Sequence, residues 1–561
     1  MTINDLLATA TLGTERAPVA IASAPGRLGE LLAQLTNQPP EQALLTAAAL
    51  LTTYRRAGQP PLTLAAGESP FHPLTLTSAR LRPEHLVERS GELSPGHSIT
   101  LSPHEPQPRC SPTAAAQLTQ LLDGQFAAVL PEWLALLVSS GQRTPEELLP
   151  RLLILGERQP ALRDVIRQAG GERGRWLAQQ NLAWGYATPI EEGEINERWQ
   201  TGERSERSHL LQWLRTHQPA RGLALLSATW TQETADDRLA WVSLLEYGLS
   251  LDDEPFLNTA LDDRHKEVRS RAAELLTSLP TSQVSLHLQQ AGLAMLRWEE
   301  AALRLTRWLG GAGHLVVELP ATLDATLVRA GIDPKPLPGL GQKAGWLQQI
   351  ISKIPPVTWC NAWNKRADEL VTSAIQHEWK IPLLVGWMLA ATRHRDELWA
   401  HALLDAHLQR AIPSEVDLPD LWTALLHTLP ATTREAYTSQ LLTIAPEWNA
   451  EHPAIPFLEA CSHAWSVPFT RTILAVWRHH LDQHKHYSYE LRTLLVTCSR
   501  FMAPELANEA EACWPAAELR HPFWSPAIDE LIATLHFRQA MRDALGGQQT
   551  THDRRPIPPL V

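Results

Sequence analysis

Cysteine and methionine are scarce in this 561-residue chain, five of each, and tyrosine and phenylalanine number only six and eight. The cysteines, Cys110, Cys360, Cys461, Cys498 and Cys513, are odd in number, and no two stand in CxxC spacing. That excludes a disulfide framework and a zinc ribbon and fits reduced thiols in a cytoplasmic protein. No apolar run approaches the roughly 18 residues a membrane-spanning helix needs, so none is predicted. The N-terminal stretch carries an acid at Asp5 and lacks a basic segment before an apolar one, so it does not read as a secretory signal. Positive charge is also short. The formal net charge is −12 and the pI about 6.0, which disfavours nonspecific nucleic-acid binding. The patterns GxxxxGK[ST], HExxH and GxSxG are missing, and with them the phosphate loop, the zinc-protease helix and the hydrolase nucleophile turn.

Apolar residues are plentiful at 44%, and charged residues are at an ordinary 20%. Tryptophan, at 21, outnumbers the other aromatics, and proline reaches 43. Many of the tryptophans sit beside proline or at helix ends, as in Pro131-Glu132-Trp133 and Pro446-Glu447-Trp448, and read as wedges between neighbouring helices. A single core stops growing at about 250–300 residues. A chain of this length is therefore several domains or a stack of repeats, which extends without enlarging one core.

The periodicity favours the stack. Residues 1–56 hold two helical runs, with Leu28, Leu31, Leu32 and Leu35 on one face and Leu44, Leu45, Ala48 and Leu51 on the next. Residues 57–112 are Pro-rich and irregular, with short β-like pieces that leave room for a hairpin. Ser111-Pro112 reads as an N-cap with Pro at the first helical position. Helix-length segments then run to residue 545, divided into repeats over 113–330 and 331–545, before a flexible tail at 546–561. The stretch 251–280 is HEAT-like: a short helix, an acidic turn at Asp262-Asp263, then a helix with Val268, Ala272, Leu275 and Leu276 on one face, ended by Pro280. Asp263 is expected to cap that second helix and pair with Arg269 in a ladder along the repeats. The expected fold is all-α, an α-solenoid of irregular HEAT- or armadillo-like pairs.

Four places could carry chemistry. Gly339, Gly341 and Gly345 with Lys343 precede a helix containing Trp346. A Gly-rich loop before a helix can hold an anion or present a contact, and Gly341, Lys343 and Trp346 are the expected partner-binding residues. His479, His480, His484 and His486 cluster around Asp482, but no further ligand is apparent for zinc, and neither metal nor cofactor is expected. Arg167, Arg173 and Arg175, among Gly170, Gly171 and Gly174, could touch phosphate but are interrupted by Glu172. Asp236-Asp237 and Asp252-Asp253 read as caps rather than acid–base pairs.

LLATATLGTERAP at 6–18, CSPTAAAQLTQLL at 110–122, LDDRHKEVRSRAAELL at 261–276 and LPGLGQKAGWLQQIISKIPPVTW at 337–359 together resemble a bacterial helical-repeat family of unassigned function. Its genes lie beside those for MoxR-type AAA+ ATPases, von Willebrand A-domain proteins and SWIM zinc-finger proteins. The resemblance implies those proteins as partners and transfers no catalytic residue. The expected function is a non-enzymatic scaffold or adaptor of such an assembly or maturation system. The alternative is a helical-repeat protein that binds nucleic acid.

Overall fold

The computed structural model describes residues 104–546, apart from 189, 191, 301–312, 413–417, 446, 484–487 and 516–519, together with Leu35, Ala43 and Thr46. Residues Met1–Ile99 and Thr100–Val561 are two separate compact units. The expectations for residues 1–56 and for the Pro-rich insert up to residue 103, its hairpin included, lie outside the described residues apart from those three positions, as does the tail after 546.

The Thr100–Val561 unit is mostly helical, with 24 α-helices and one two-stranded sheet among its described residues. The first group is α1 (Pro112–Leu122), α2 (Leu130–Ser139), α3 (Leu149–Arg158) and α4 (Arg163–Gln179). The Ser111 hydroxyl caps α1 by accepting the Ala114 N–H, with Pro112 in the first turn. A second group holds α5 (Ile195–Thr201), α6 (Arg204–His217), α7 (Pro219–Thr229), α8 (Ala235–Leu244), α9 (Glu254–Ala260) and α10 (Lys266–Ser278). The third runs through α11 (Gln283–Met295), α12 (Ala325–Arg329), α13 (Gln342–Lys353), α14 (Val357–Trp363), α15 (Ala367–Ile375), α16 (Lys380–His394), α17 (Glu397–Leu408) and α18 (Pro419–His427). It continues with α19 (Ala431–Ile444), α20 (Ile455–Ala460), α21 (Val467–Gln483), α22 (Tyr489–Ser499), α23 (Ala507–Cys513) and α24 (Ser525–Gly546). The sheet pairs β1 (Leu296–Glu299) antiparallel with β2 (His314–Val317). Strand was expected only within 57–112. Among the described residues, an antiparallel strand pair with Leu296 opposite Val317 and Trp298 opposite Leu315 lies on the flank of α11 and α15.

Helices pack mainly on near neighbours in sequence, and each group has its own core. Trp133, Trp199, Trp241, Trp359, Trp387, Trp399, Trp422 and Trp477 are fully buried, the wedge role their placement beside turns suggests. α13 packs closely on α16. A Cβ on Gly386 would stand 2.9 Å from Ile351 Cγ2 and 3.2 Å from the Gln348 carbonyl, so only glycine lets the two backbones come this close.

The second group is tied by arginines that reach forward to acids in later turns. Arg207 pairs with Glu233, Arg215 with Asp253 at 2.9 and 2.7 Å, and Arg238 with Asp263 at 2.7 Å. Arg215 is 1% exposed and also donates to the carbonyls of Pro219, Tyr247 and Gly248. A buried charge is tolerated only when paired and hydrogen-bonded in this way.

The last helix returns to the first. α24 packs on α22 and then on α1 and α2, and its Met541 and Leu545 enter the core of the first group. Phe537 stacks on Phe126 at 4.5 Å. Arg538 binds Glu132 at 2.6 and 3.1 Å and donates to the Ser499 and Met502 carbonyls. An open repeat stack ends in two free caps. Here both ends of the described helical path share one core. No single helix among the described residues is long and apolar enough to cross a membrane; the pair Pro112–Leu122 and Ala127–Ser139 qualifies only jointly and is bent by 120°.

Candidate partner-binding site

The loop singled out in the sequence is divided by the fold. Gly341 and Lys343 are exposed at the start of α13, but Trp346 is 4% exposed and donates its indole N–H to the Pro334 carbonyl at 3.2 Å. Trp346 lies one helical turn past the exposed start, on the face that carries Leu347 and Ile350 into the core, so it is a packing residue and not a surface contact. Asp263 and Arg269 also do not meet as a side-chain pair. The Asp263 carboxylate takes Arg238 and the His265 N–H at 2.9 Å, while Arg269 donates to the Asp263 and Arg264 carbonyls. The ion-pair partner of Asp263 is therefore the arginine of α8, well before the acidic turn.

The Gly/Arg segment is neutralised from within. Gly171, with φ +62°, breaks α4, and the Glu105 carboxylate sits against it and accepts the Arg173 N–H at 3.0 Å. Arg173 pairs with Glu146, Arg175 with Glu172 and Arg167 with Asp164. A protein carboxylate thus occupies the place where phosphate would approach the restarted helix. Of the histidine cluster, His479 and His480 lie on α21, with His480 edge-on to Trp477 and Trp524, and His484 and His486 lie outside the described residues. No group of three or more metal-ligand side chains is assembled among the described residues.

A Ser–His–carboxylate grouping does occur, but in the wrong order for nucleophilic catalysis. Glu435 sits in the middle, accepting from Ser466 Oγ at 2.5 Å and from His463 Nε2 at 3.1 Å. It also accepts the Ser466 N–H at 2.9 Å, so it caps the start of α21. The serine proton goes to a carboxylate that also caps α21, and the serine–imidazole contact of a nucleophilic triad is not made. Burial pushes the thiols of Cys110 and Cys461 up to about 11, the opposite of an activated nucleophile.

A groove lies between the C-terminal turns of α17 and α19. It is lined by Asp405, Leu408, Gln409, Gln440, Thr443 and Ile444, and has a volume of about 390 Å³. Residues 401 and 405 of α17 meet residue 437 of α19, and 405–409 face 440–444. The two helices therefore run in the same direction and end together. Tyr437 Oη donates to Asp405 Oδ1 at 2.8 Å, and His401 Nδ1 stands 2.8 Å from the same hydroxyl. With the phenol proton committed to Asp405, His401 donates through Nδ1–H. Burial, and then the Asp405 charge, push the Tyr437 phenol well above its ordinary range, so it stays a donor and holds the carboxylate in one orientation. Asp405 itself is exposed, and Ile444 is 44% exposed.

The chain belongs to a family of unknown function, DUF5691. The family's sequence model matches residues 5–545. No curated protein and no solved structure matches the chain. In this DUF5691 member the groove was only half legible in sequence. His401, Asp405 and Leu408 share a face at helical spacing, but nothing in the string says that α19 closes the other wall.

Proposed function

We propose that this DUF5691 member is a non-enzymatic scaffold or adaptor that binds another protein through the α17–α19 groove. The helix pairs act as an irregular HEAT-like stack, closed by α24, that displays surface as α-solenoids do. The observation carrying this reading is the groove itself. An oriented carboxylate and an exposed Ile444 face solvent there, beyond what the core beneath them requires, and apolar area beside a charge is a common contact mixture. The internal neutralisation of Arg167, Arg173 and Arg175 weighs against the nucleic-acid alternative.

The resemblance to the MoxR-associated family points to a MoxR-type AAA+ ATPase, a von Willebrand A-domain protein or a SWIM zinc-finger protein as partner in a bacterial cytoplasm. Energy would then come from the ATPase and not from this chain. The test mixes the purified chain with each candidate partner in size-exclusion and crosslinking experiments, with wild type beside Asp405→Lys. Co-elution weakened by Asp405→Lys at an unchanged melting temperature supports the reading. Turnover of a substrate by the isolated chain would overturn it.

A further inference from the structure

The charge around the groove says what kind of group fits it, and this step rests on the partner-binding reading. Asp405 is the sole charged residue among those lining it. Its Oδ1 is held by Tyr437, which is held in turn by His401, so the carboxylate is fixed before anything binds.

The backbone adds to the same sign. α17 and α19 both end at the groove, and a helix C-terminus carries about half a negative charge on its last carbonyls. The α17 end is closed by N–H groups of Gln409, Arg410 and Ala411, which bond to the carbonyls of Asp405, His407 and Ala406. At the α19 end the Ala445 N–H bonds to Leu441 and His452 Nε2 lies 2.6 Å from the Ala445 carbonyl. Those bonds occupy the named carbonyls, and the macrodipole of each helix still places its negative end at the groove. Gln409 and Gln440 add side-chain amides, and Leu408 and Ile444 add apolar wall. A long aliphatic stem with a cationic head matches this arrangement, the stem lying on the wall and the head reaching the acid. The volume sits at the lower end of the range for small-ligand sites and suits one side chain.

We infer that the α17–α19 groove receives an arginine or lysine side chain presented by a partner protein, with Asp405 as its counter-ion.

The experiment uses the full chain with selectively labelled isoleucine methyl groups. Acetylated, amidated pentapeptides Ala-Leu-Xaa-Leu-Ala serve as probes, Xaa being arginine, lysine, norleucine or glutamate. The Ile444 methyl resonance should shift and saturate with the arginine and lysine peptides and stay in place with norleucine and glutamate. Asp405→Asn should weaken the arginine peptide about tenfold, the scale of one charge-assisted bond. Tyr437→Phe, which frees the carboxylate from its donor, should weaken it less. Equal shifts with glutamate and arginine, or binding untouched by Asp405→Asn, would overturn the inference. Cadaverine alone shifting Ile444 as strongly as the arginine peptide at equal concentration would also overturn it, because the site would then be a free-amine site. If the chain binds its protein partner as tightly with Asp405→Asn as without it, this inference and the groove's part in the proposed function fall together, and only an adaptor role through another surface stands. If no partner binds the wild type at all, that reading falls first.

Discussion

Single residues here are governed by which charge lies across from them. Asp263 and Arg269 follow a HEAT spacing, but Asp263 is claimed by Arg238, and both side chains are nearly buried, at 7% and 8% exposure. Asp263→Ala would leave a buried guanidinium unpaired and should cost about 3–5 kcal/mol, well above a lost cap. Arg269→Ala removes only bonds to two carbonyls and should cost about 0.5–1.5 kcal/mol. Urea unfolding of the two variants gives the ratio, and equal costs would contradict the Arg238 pairing.

A second residue-scale effect lies where α13 and α16 end side by side, with His394 Nε2 at 3.4 Å from the Lys353 carbonyl. Burial, helped by Arg393, brings His394 down to about 4 and Lys353 down to about 8; Glu274 pulls Lys353 the other way, and Arg271 pairs with Glu274. In both cases the unfolded chain holds its proton more tightly than the folded one. Stability should therefore rise with pH from about 4 to 6.5 through His394 and from about 8 to 10.5 through Lys353. His209, His377, His427 and His452 are also lowered, each chiefly by burial, and add to the acid side. Denaturation midpoints against pH should show a shallower acid limb in His394→Gln and a shallower alkaline limb in Lys353→Met. Unchanged limbs in both variants would contradict this assignment.

Among the elements, α10 behaves as its apolar stripe foretells. Val268, Ala272, Leu275 and Leu276 are buried, with Leu276 fully so. Leu276→Ala should cost about 2–5 kcal/mol by opening a cavity. The α13–α16 contact is different in kind, because it depends on an absence of side chain at Gly386. Gly386→Ala inserts a methyl group against Ile351 and should cost about 1–3 kcal/mol through overpacking. Urea midpoints measure both, and a neutral Gly386→Ala would mean that α13 and α16 can part without loss. The start of α1 was legible because Ser111 and Pro112 mark it, and the apolar spacing of α10 shows its buried face. The β1–β2 pair was not legible, since four-residue strands are too short for period-two alternation to stand out.

For the Thr100–Val561 unit as a whole, the decisive feature is closure. α24 places Arg538 on Glu132, more than 400 residues away in the chain, and carries Met541 and Leu545 into the first core. Arg538 is 1% exposed; Arg538→Met leaves Glu132 only its weaker pair with Arg542 and takes the donor from the Ser499 and Met502 carbonyls, and should cost about 1–3 kcal/mol. Hydrogen exchange should show the loss first in α1 and α2, which depend on α24 for part of their core. Protection unchanged there would mean the closure is incidental to stability.

The sequence by itself determined a mostly helical chain, the Ser111 cap of α1, the burial of the tryptophans beside turns and the apolar face of α10, because each depends on contacts within a turn or between adjacent helices. Only the tertiary structure decided that Trp346 is core, that Asp263 answers to Arg238, that Glu105 covers the Gly171 break and that α24 meets α1 and α2. It also decided that α17 and α19 end together to make a groove with Asp405 as its one charged lining residue. Those outcomes depend on which faces meet across long stretches of chain, and the local spacing of residues carries no record of that choice.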